Sequence, residues 1–226
     1  MSAAENSNLV SVNVMYRTLI FVLLFFLLVP IAKAKNQKLS YSKNFENFTE
    51  AHKAYEGELV PLSEGLSFMV TSTKIGLFSS QVSGLVKNYK AQGLLTQESV
   101  EGMEVIFPIL SMDTDQESRD KKLHELCLGS PQFMDIKIMI QGPVKINPTE
   151  ANEEEVMGVI FIRGKEKNIK LKIKIFKSTL NNEAWLRSEG QTILSLKELE
   201  IPDPSILVAK VSDEIQVKFK INIPLK

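Results

Sequence analysis

From Leu66 onward, apolar side chains return at nearly every second position, and polar ones fill the gaps. Leu66, Phe68 and Val70 alternate with Ser67, Met69 and Thr71, which predicts a half-buried strand. Gln81–Val86 predicts a second, with Gly84 inside it at a bulge or bend. Val105–Leu110 and Met134–Ile140 follow, and then Val156–Arg163. In the clearest of all, Ile169, Leu171, Ile173 and Ile175 face one way and Lys170, Lys172 and Lys174 the other. A short polar turn from Gly164 to Asn168 would join that strand to the one before it as a hairpin. Ala184–Leu186 and Gln191–Leu196 are weaker strands. Ile215, Val217, Phe219, Ile221 and Ile223 close the chain. Lys87–Gly102 is less regular, with a short strand or turn at Leu94-Leu95. Ser195–Leu199 turns briefly helical, and Ile201–Pro204 is loop.

Two longer stretches carry helical spacing instead. Between Lys35 and Gly57, Phe45, Phe48, His52 and Tyr55 recur at three- and four-residue spacing, which predicts a short amphipathic helix within an N-terminal segment, residues 35–58. Between two strands, Ser118–Cys127 carries helix chemistry. Thr114 and Glu117 stand at capping-box spacing. Arg119, Leu123, Leu126 and Cys127 share a side, and Gly129-Ser130-Pro131 ends the segment. A chain with many antiparallel strands, each apolar on one face, closes those faces together as a sandwich or a barrel. Periodicity does not separate the two.

The residues around the helix carry a resemblance. Thr114, Arg119-Asp120 and Leu123, then Leu128 and the strand start Phe133-Met134-Asp135-Ile136, resemble the signature of the YceI-like family. Gly158–Gly164, Ile169–Ile175 and Val211–Ile223 are similar to later strands of that family, and the likeness runs from Leu59 to the C-terminus. One departure stands out: where the family often has an aromatic-Pro pair, this chain has Phe133-Met134. The resemblance implies an all-β fold over residues 59–226, an extended eight-stranded antiparallel lipocalin-like barrel with the helix at one end. It also implies an apolar, isoprenoid- or fatty-acyl-like ligand inside. In such a barrel the alternation turns Phe68, Val70, Ile136, Ile138, Ile160, Leu171, Ile173, Val217 and Phe219 inward. That set has no ionisable side chain and would line a site for an alkyl or prenyl chain. By alternation alone the interior could equally be packed solid, with a protein partner docking outside; the resemblance favours the cavity.

Composition narrows the function further. Lys plus Arg and Asp plus Glu both total 27, so no net field draws nucleic acid. One cysteine, Cys127, excludes an internal disulfide, and two distant histidines make a zinc site a poor fit. No metal or cofactor is expected. Asp120 and His124 stand four apart and Cys127 three further on, a spacing at which a Cys-His pair could form. Cys127 shares its side with Leu123 and Leu126, however, which predicts a buried, inert thiol. Without a serine elbow or phosphate loop, the chain reads as a binding protein and not an enzyme.

At the N-terminus, Arg17 precedes the apolar run Leu19–Val29, and Ala32-Lys33-Ala34 follows. This predicts a cleavable secretory signal over residues 1–34, with Met15 as an alternative start and Lys35 as the first mature residue. The run is too short to span a bilayer comfortably. The expectation is a periplasmic or secreted protein with no membrane span after cleavage. The sequence leaves its oligomeric state open, a homodimer included.

Overall fold

The computed structural model describes residues 36–47, 49–50, 65–74, 78–148, 152–180, 182–205 and 209–225. The chain divides into two compact units, Met1–Lys35 and Asn36–Lys226. The predicted signal segment and most of the predicted aromatic helix, with His52 and Tyr55, lie outside the described residues. The second unit is built on one twelve-stranded sheet.

In chain order the strands are β1 (Gln37–Asn44), β2 (Gly65–Lys74), β3 (Phe78–Val86), β4 (Asn88–Leu95), β5 (Ser99–Pro108) and β6 (Met112–Asp113). After the helical segment come β7 (Asp135–Ile140), β8 (Val144–Asn147), β9 (Glu154–Ile162), β10 (Lys165–Leu180), β11 (Glu183–Ser195) and β12 (Ala209–Leu225). Among the described residues the strand count is therefore twelve and not eight. The physical reason is that several strands bend and are interrupted. β3 and β4 are separated only by Lys87, yet they stand at opposite ends of the run β4-β5-β7-β9-β10-β11-β12-β2-β3. One bent strand thus supplies both edges, and the sheet closes into a barrel with eight positions around the ring. The seam is held where Lys87 N–H donates to Ser111 O at 2.8 Å and where Leu85 and Val86 pair with Asp113 and Met112.

Two long hairpins dominate one side. β10 and β12 run 16 and 17 residues, beyond the usual strand length. The alternation predicted for β10 holds: Ile169, Leu171, Ile173 and Ile175 are buried while Lys170 and Lys172 are exposed. The lysine row faces carboxylates, Lys170 to Glu155 at 3.4 Å and Lys174 to Glu189 at 3.2 Å. The β9–β10 turn is tighter than expected. It consists of Arg163 and Gly164 alone, at φ +51° and +71°, and the strand resumes at Lys165. Two positive-φ residues give the twist that matches two antiparallel strands. β11 is one strand where two weaker ones were expected, because Leu186 to Leu194 stay in register with β12 throughout.

The polar N-terminal stretch corrects an expectation. Gln37–Asn44, in a stretch where the pattern predicts no strand, is a strand and pairs along its whole length with β4. Lys87–Gly102, expected to be irregular, holds β4 and the start of β5.

The barrel has two storeys. At one end β7 and β9 give way to β8, which bridges β5 (Val100 opposite Val144) and β10 (Ile175 opposite Ile146). Here Leu39, Leu95, Val100, Val144, Ile173, Ile175 and Leu186 form a tightly packed floor. The second cluster, with Leu66, Phe107, Ile136, Ile160 and Leu194, surrounds the upper part of the barrel.

An apolar cavity with a cationic mouth

The helical segment sits beside the cavity. Helix α1 covers Glu117–Lys122, and Leu123–Cys127 continues it as a π-helical turn, in which Leu128 N–H reaches Leu123 O at 3.0 Å. Gly129 ends it at φ +77°, the left-handed cap its sequence predicts. The predicted capping box does not form: the N-cap is Gln116, which makes no side-chain cap bond. Thr114 is instead the centre of a different cluster. Its N–H and its hydroxyl both donate to Asp120 Oδ1, at 2.9 and 2.5 Å. Arg119 Nε donates to Thr114 Oγ1 at 2.8 Å, and a second guanidinium nitrogen bonds Thr114 O. The charged Arg119 Nε takes the threonine oxygen that a capping box would offer to a helix amide, and the Asp120 carboxylate takes its proton, because charge-assisted bonds are stronger than neutral ones. The motif residues Thr114, Arg119 and Asp120 thus come together and lock the helix to the barrel end. Leu123 packs against the core.

Above the floor lies a cavity of about 630 Å³. Six of the residues predicted to face inward border it: Phe68, Val70, Ile136, Ile138, Ile160 and Val217. Leu171, Ile173 and Phe219 do not. Ile173 is wholly enclosed in the floor cluster, Leu171 packs in the wall core, and Phe219 lies between the two clusters. Alternation assigns all three to the inner face, but side-chain parity says nothing about depth along the barrel axis. Phe68, Val70 and Val217 are half-exposed although they point inward. They face an unfilled volume.

Other lining residues were not predicted. Leu196, Leu199 and Ile201 come from the loop after β11 and are buried. Asp213 holds that loop in place, accepting Ser195 Oγ at 2.7 Å and the Lys197 N–H at 2.9 Å. Three apolar residues in a segment otherwise marked by Pro202 and Pro204 were the available signal. Phe107, Val82, Val86, Val211 and Ile215 complete much of the wall.

Where the cavity opens, its border turns polar. Lys74 stands at the end of β2, and Gln116, Ser118, Arg119 and Lys122 come from α1 and its approach. Lys122 Nζ donates to Pro204 O at 3.1 Å. A larger depression, of about 970 Å³ and more open to solvent, is bordered by Asp113, Asp115, Glu117 and Asp120 of α1 and its approach.

The residues weighed for catalysis are separated. Asp120 is engaged by Thr114, and His124 Nε2 is bonded to Met112 O at 2.7 Å, so the two do not pair. Cys127 is buried at the cavity wall although Leu126, on the expected shared side, is 46% exposed. The π turn explains the discrepancy, since it rotates the residues after Leu123 from α-helical register. Burial pushes the Cys127 thiol pKa up, against the opposing fields of Lys122 and Arg163. Among the described residues no group of His, Cys, Asp or Glu is placed to hold a metal ion, and no helix is long and apolar enough to cross a membrane.

Fold and site define a closed antiparallel barrel with a packed floor and an apolar cavity that opens beside a short helix. The YceI-like domain matches residues 58–223, and the chain belongs to the YceI-like family. Among solved structures it is similar to Burkholderia cenocepacia BcnA, at 16% identity and a TM-score of 0.52 over 71% of this chain and 96% of that one. It is also similar to a Campylobacter jejuni YceI protein, at 18% identity and a TM-score of 0.55 over 66% and 88%. No curated protein matches in sequence.

Proposed function

We propose that this barrel binds an apolar lipid in its cavity and sequesters or carries it, without catalysing a reaction. The observation that carries this reading is the half-exposed inner face of β2 and β12 around about 630 Å³ of apolar-walled space. A solid core would bury Phe68, Val70 and Val217 as completely as it buries Ile173. Each methylene moved from water into such a space contributes about 0.8 kcal/mol. Ten or more would give roughly 8 kcal/mol, enough to offset much of the cost of immobilising a ligand. The groups with catalytic potential support the same reading, since the thiol is held protonated and the histidine is tied to a carbonyl. Secretion belongs to the proposal: cleavage after Ala34 would leave Lys35 as the N-terminal residue and place the carrier in the periplasm or outside the cell.

The test is native mass spectrometry of the purified full chain, followed by solvent extraction. A bound mass released as lipid supports the carrier. Apoprotein alone, with no uptake on exposure to lipid extract, would favour the alternative of a packed structural barrel with an external partner.

A further inference from the structure

β9 is apolar on both faces. From Val156 to Ile162 it runs without a polar side chain, the composition of a strand that is covered on each side. Ile160 and Ile162 border the cavity, which turns Met157, Val159 and Phe161 to the outside of the barrel. β12 shows the contrast, with Gln216, Lys218, Lys220 and Asn222 at its outward positions. Beside β9 the outer face stays apolar: Met139 of β7 pairs with Val159, and Ile106 of β5 shares a row with Phe161. Val159 is 5% exposed, while Met139 and Met157 are 38% and 41% exposed. Lys137, between Ile106 and Phe161, is turned aside. Its ammonium lies 4.5 Å from the centre of the Phe161 ring and 3.7 Å from Glu104.

We propose that the outer face of β5, β7 and β9 docks a second copy of this chain, sheet against sheet, about a two-fold axis running along β7. The strand register favours a second copy over any other occupant. One row across the sheet reads Lys90, Ile106, Lys137, Phe161 and Glu166, from β4 to β10. Rotation about its middle strand lays the Lys90 end of each copy over the Glu166 end of the other, and Ile106 over Phe161. Both end residues are exposed. In the next row Met139 falls beside the axis, opposite its own copy. The face is therefore complementary to itself in charge. A purely acidic, purely basic or anionic lipid partner would meet both signs at this rim, where Lys90 and Lys170 stand with Glu155 and Glu166. Methionine side chains mould to a facing apolar surface, and faced sheets pack about 10 Å apart. The docking face lies outside the barrel wall, independent of what fills the cavity.

The experiment is sedimentation velocity of the purified full-length chain over a micromolar dilution series. Melting temperature and uptake of Nile red, a neutral apolar dye, report on the fold and the cavity separately. The wild type should dimerise. Met139→Glu should weaken the dimer about tenfold or more, because it buries a carboxylate opposite its own copy, with melting and dye uptake unchanged. Lys90→Glu and Glu166→Lys should each weaken the dimer, and the double variant should recover it. Within one copy these residues stand four strand spacings apart, about 19 Å, so the rescue must run between copies. A short bis-maleimide should join Met139→Cys into a covalent dimer and leave Ile193→Cys, exposed on β11, monomeric. A wild type that stays monomeric, association that Met139→Glu leaves untouched, or a double variant no better than the single ones would overturn the proposal. So would a monomer that sediments with phosphatidylglycerol vesicles through Met139, which would assign the face to a lipid surface.

Discussion

The ring of Phe68 lies directly over Gly84, its cross-strand partner on β3, and occupies the space a β-carbon there would need. Phe219 does the same to Gly190 on β11. The two pairs sit at different depths. Phe68 borders the cavity, whereas Phe219 bridges the wall and floor clusters.

The glycines should therefore respond differently to alanine. At Gly84 the obstacle is the tip of one ring, which can swing into the empty cavity. Gly84→Ala should fold with a modest loss of stability and reduced lipid capacity. At Gly190 the new carbon would stand 2.5 Å from the Lys172 carbonyl as well as 2.5 Å from Phe219 Cζ. Backbone cannot step aside, so Gly190→Ala should be severely destabilised. Melting curves and extracted lipid for both variants check this contrast.

Floor and cavity should also separate under truncation. Ile173→Ala removes a side chain with no exposure and should cost about 2–5 kcal/mol. Phe219→Ala should cost about 3–5 kcal/mol, as in a packed core. Ile138→Ala, on the cavity wall, should cost less than either, because its side chain already faces open volume. Urea denaturation midpoints give the order.

Arg119→Ala should cost about 1–3 kcal/mol, since it leaves both Thr114 oxygens short of a donor. Arg119→Lys should recover only part of that loss, because an ammonium cannot reproduce the fork. An unchanged midpoint in Arg119→Ala would show that the cluster does not hold the helix.

The acid limb should report on Asp113. Burial raises its pKa, but the Lys87 ammonium at 2.8 Å, the Asp115 N–H and His124 together hold it below the usual carboxylate range. A carboxyl depressed on folding adds stability above its unfolded pKa of about 3.9 and loses it as pH falls through the folded value. Glu189 behaves alike: burial raises its pKa, and Lys220 and Lys174 outweigh that. Asp113→Asn should lower the neutral-pH midpoint and flatten its decline below about pH 4. A limb as steep as in the wild type would rule out this contribution.

Much of this was legible in the chain because strands write their orientation at period two. β10 and β12 alternate so clearly that their inner faces follow from sequence. β1 escaped because QKLSYSKN offers only Leu39 and Tyr41 as alternating apolar residues, too few to distinguish a strand from loop. The inward set mixed cavity with floor because parity fixes a face and leaves depth unassigned. Thr114 was misassigned as a cap because Arg119, five residues on, takes its hydroxyl oxygen while Asp120 takes its proton. The Leu196–Ile201 wall was missed because its proline-marked sequence reads as surface, and only Asp213, on β12, tucks it inward.

The central claim is that apolar chains enter the space bordered by Val217 and Phe68. Its most direct test is a fluorescence titration of delipidated protein with parinaric acid, for wild type and Val217→Trp. Overpacking a solid core costs about 1–3 kcal/mol, whereas an open cavity absorbs the added ring. The account predicts saturable uptake of one molecule per chain by the wild type, and loss of uptake in Val217→Trp with the melting temperature retained. Uptake undiminished by the indole, or a wild type that takes up no parinaric acid, would contradict it.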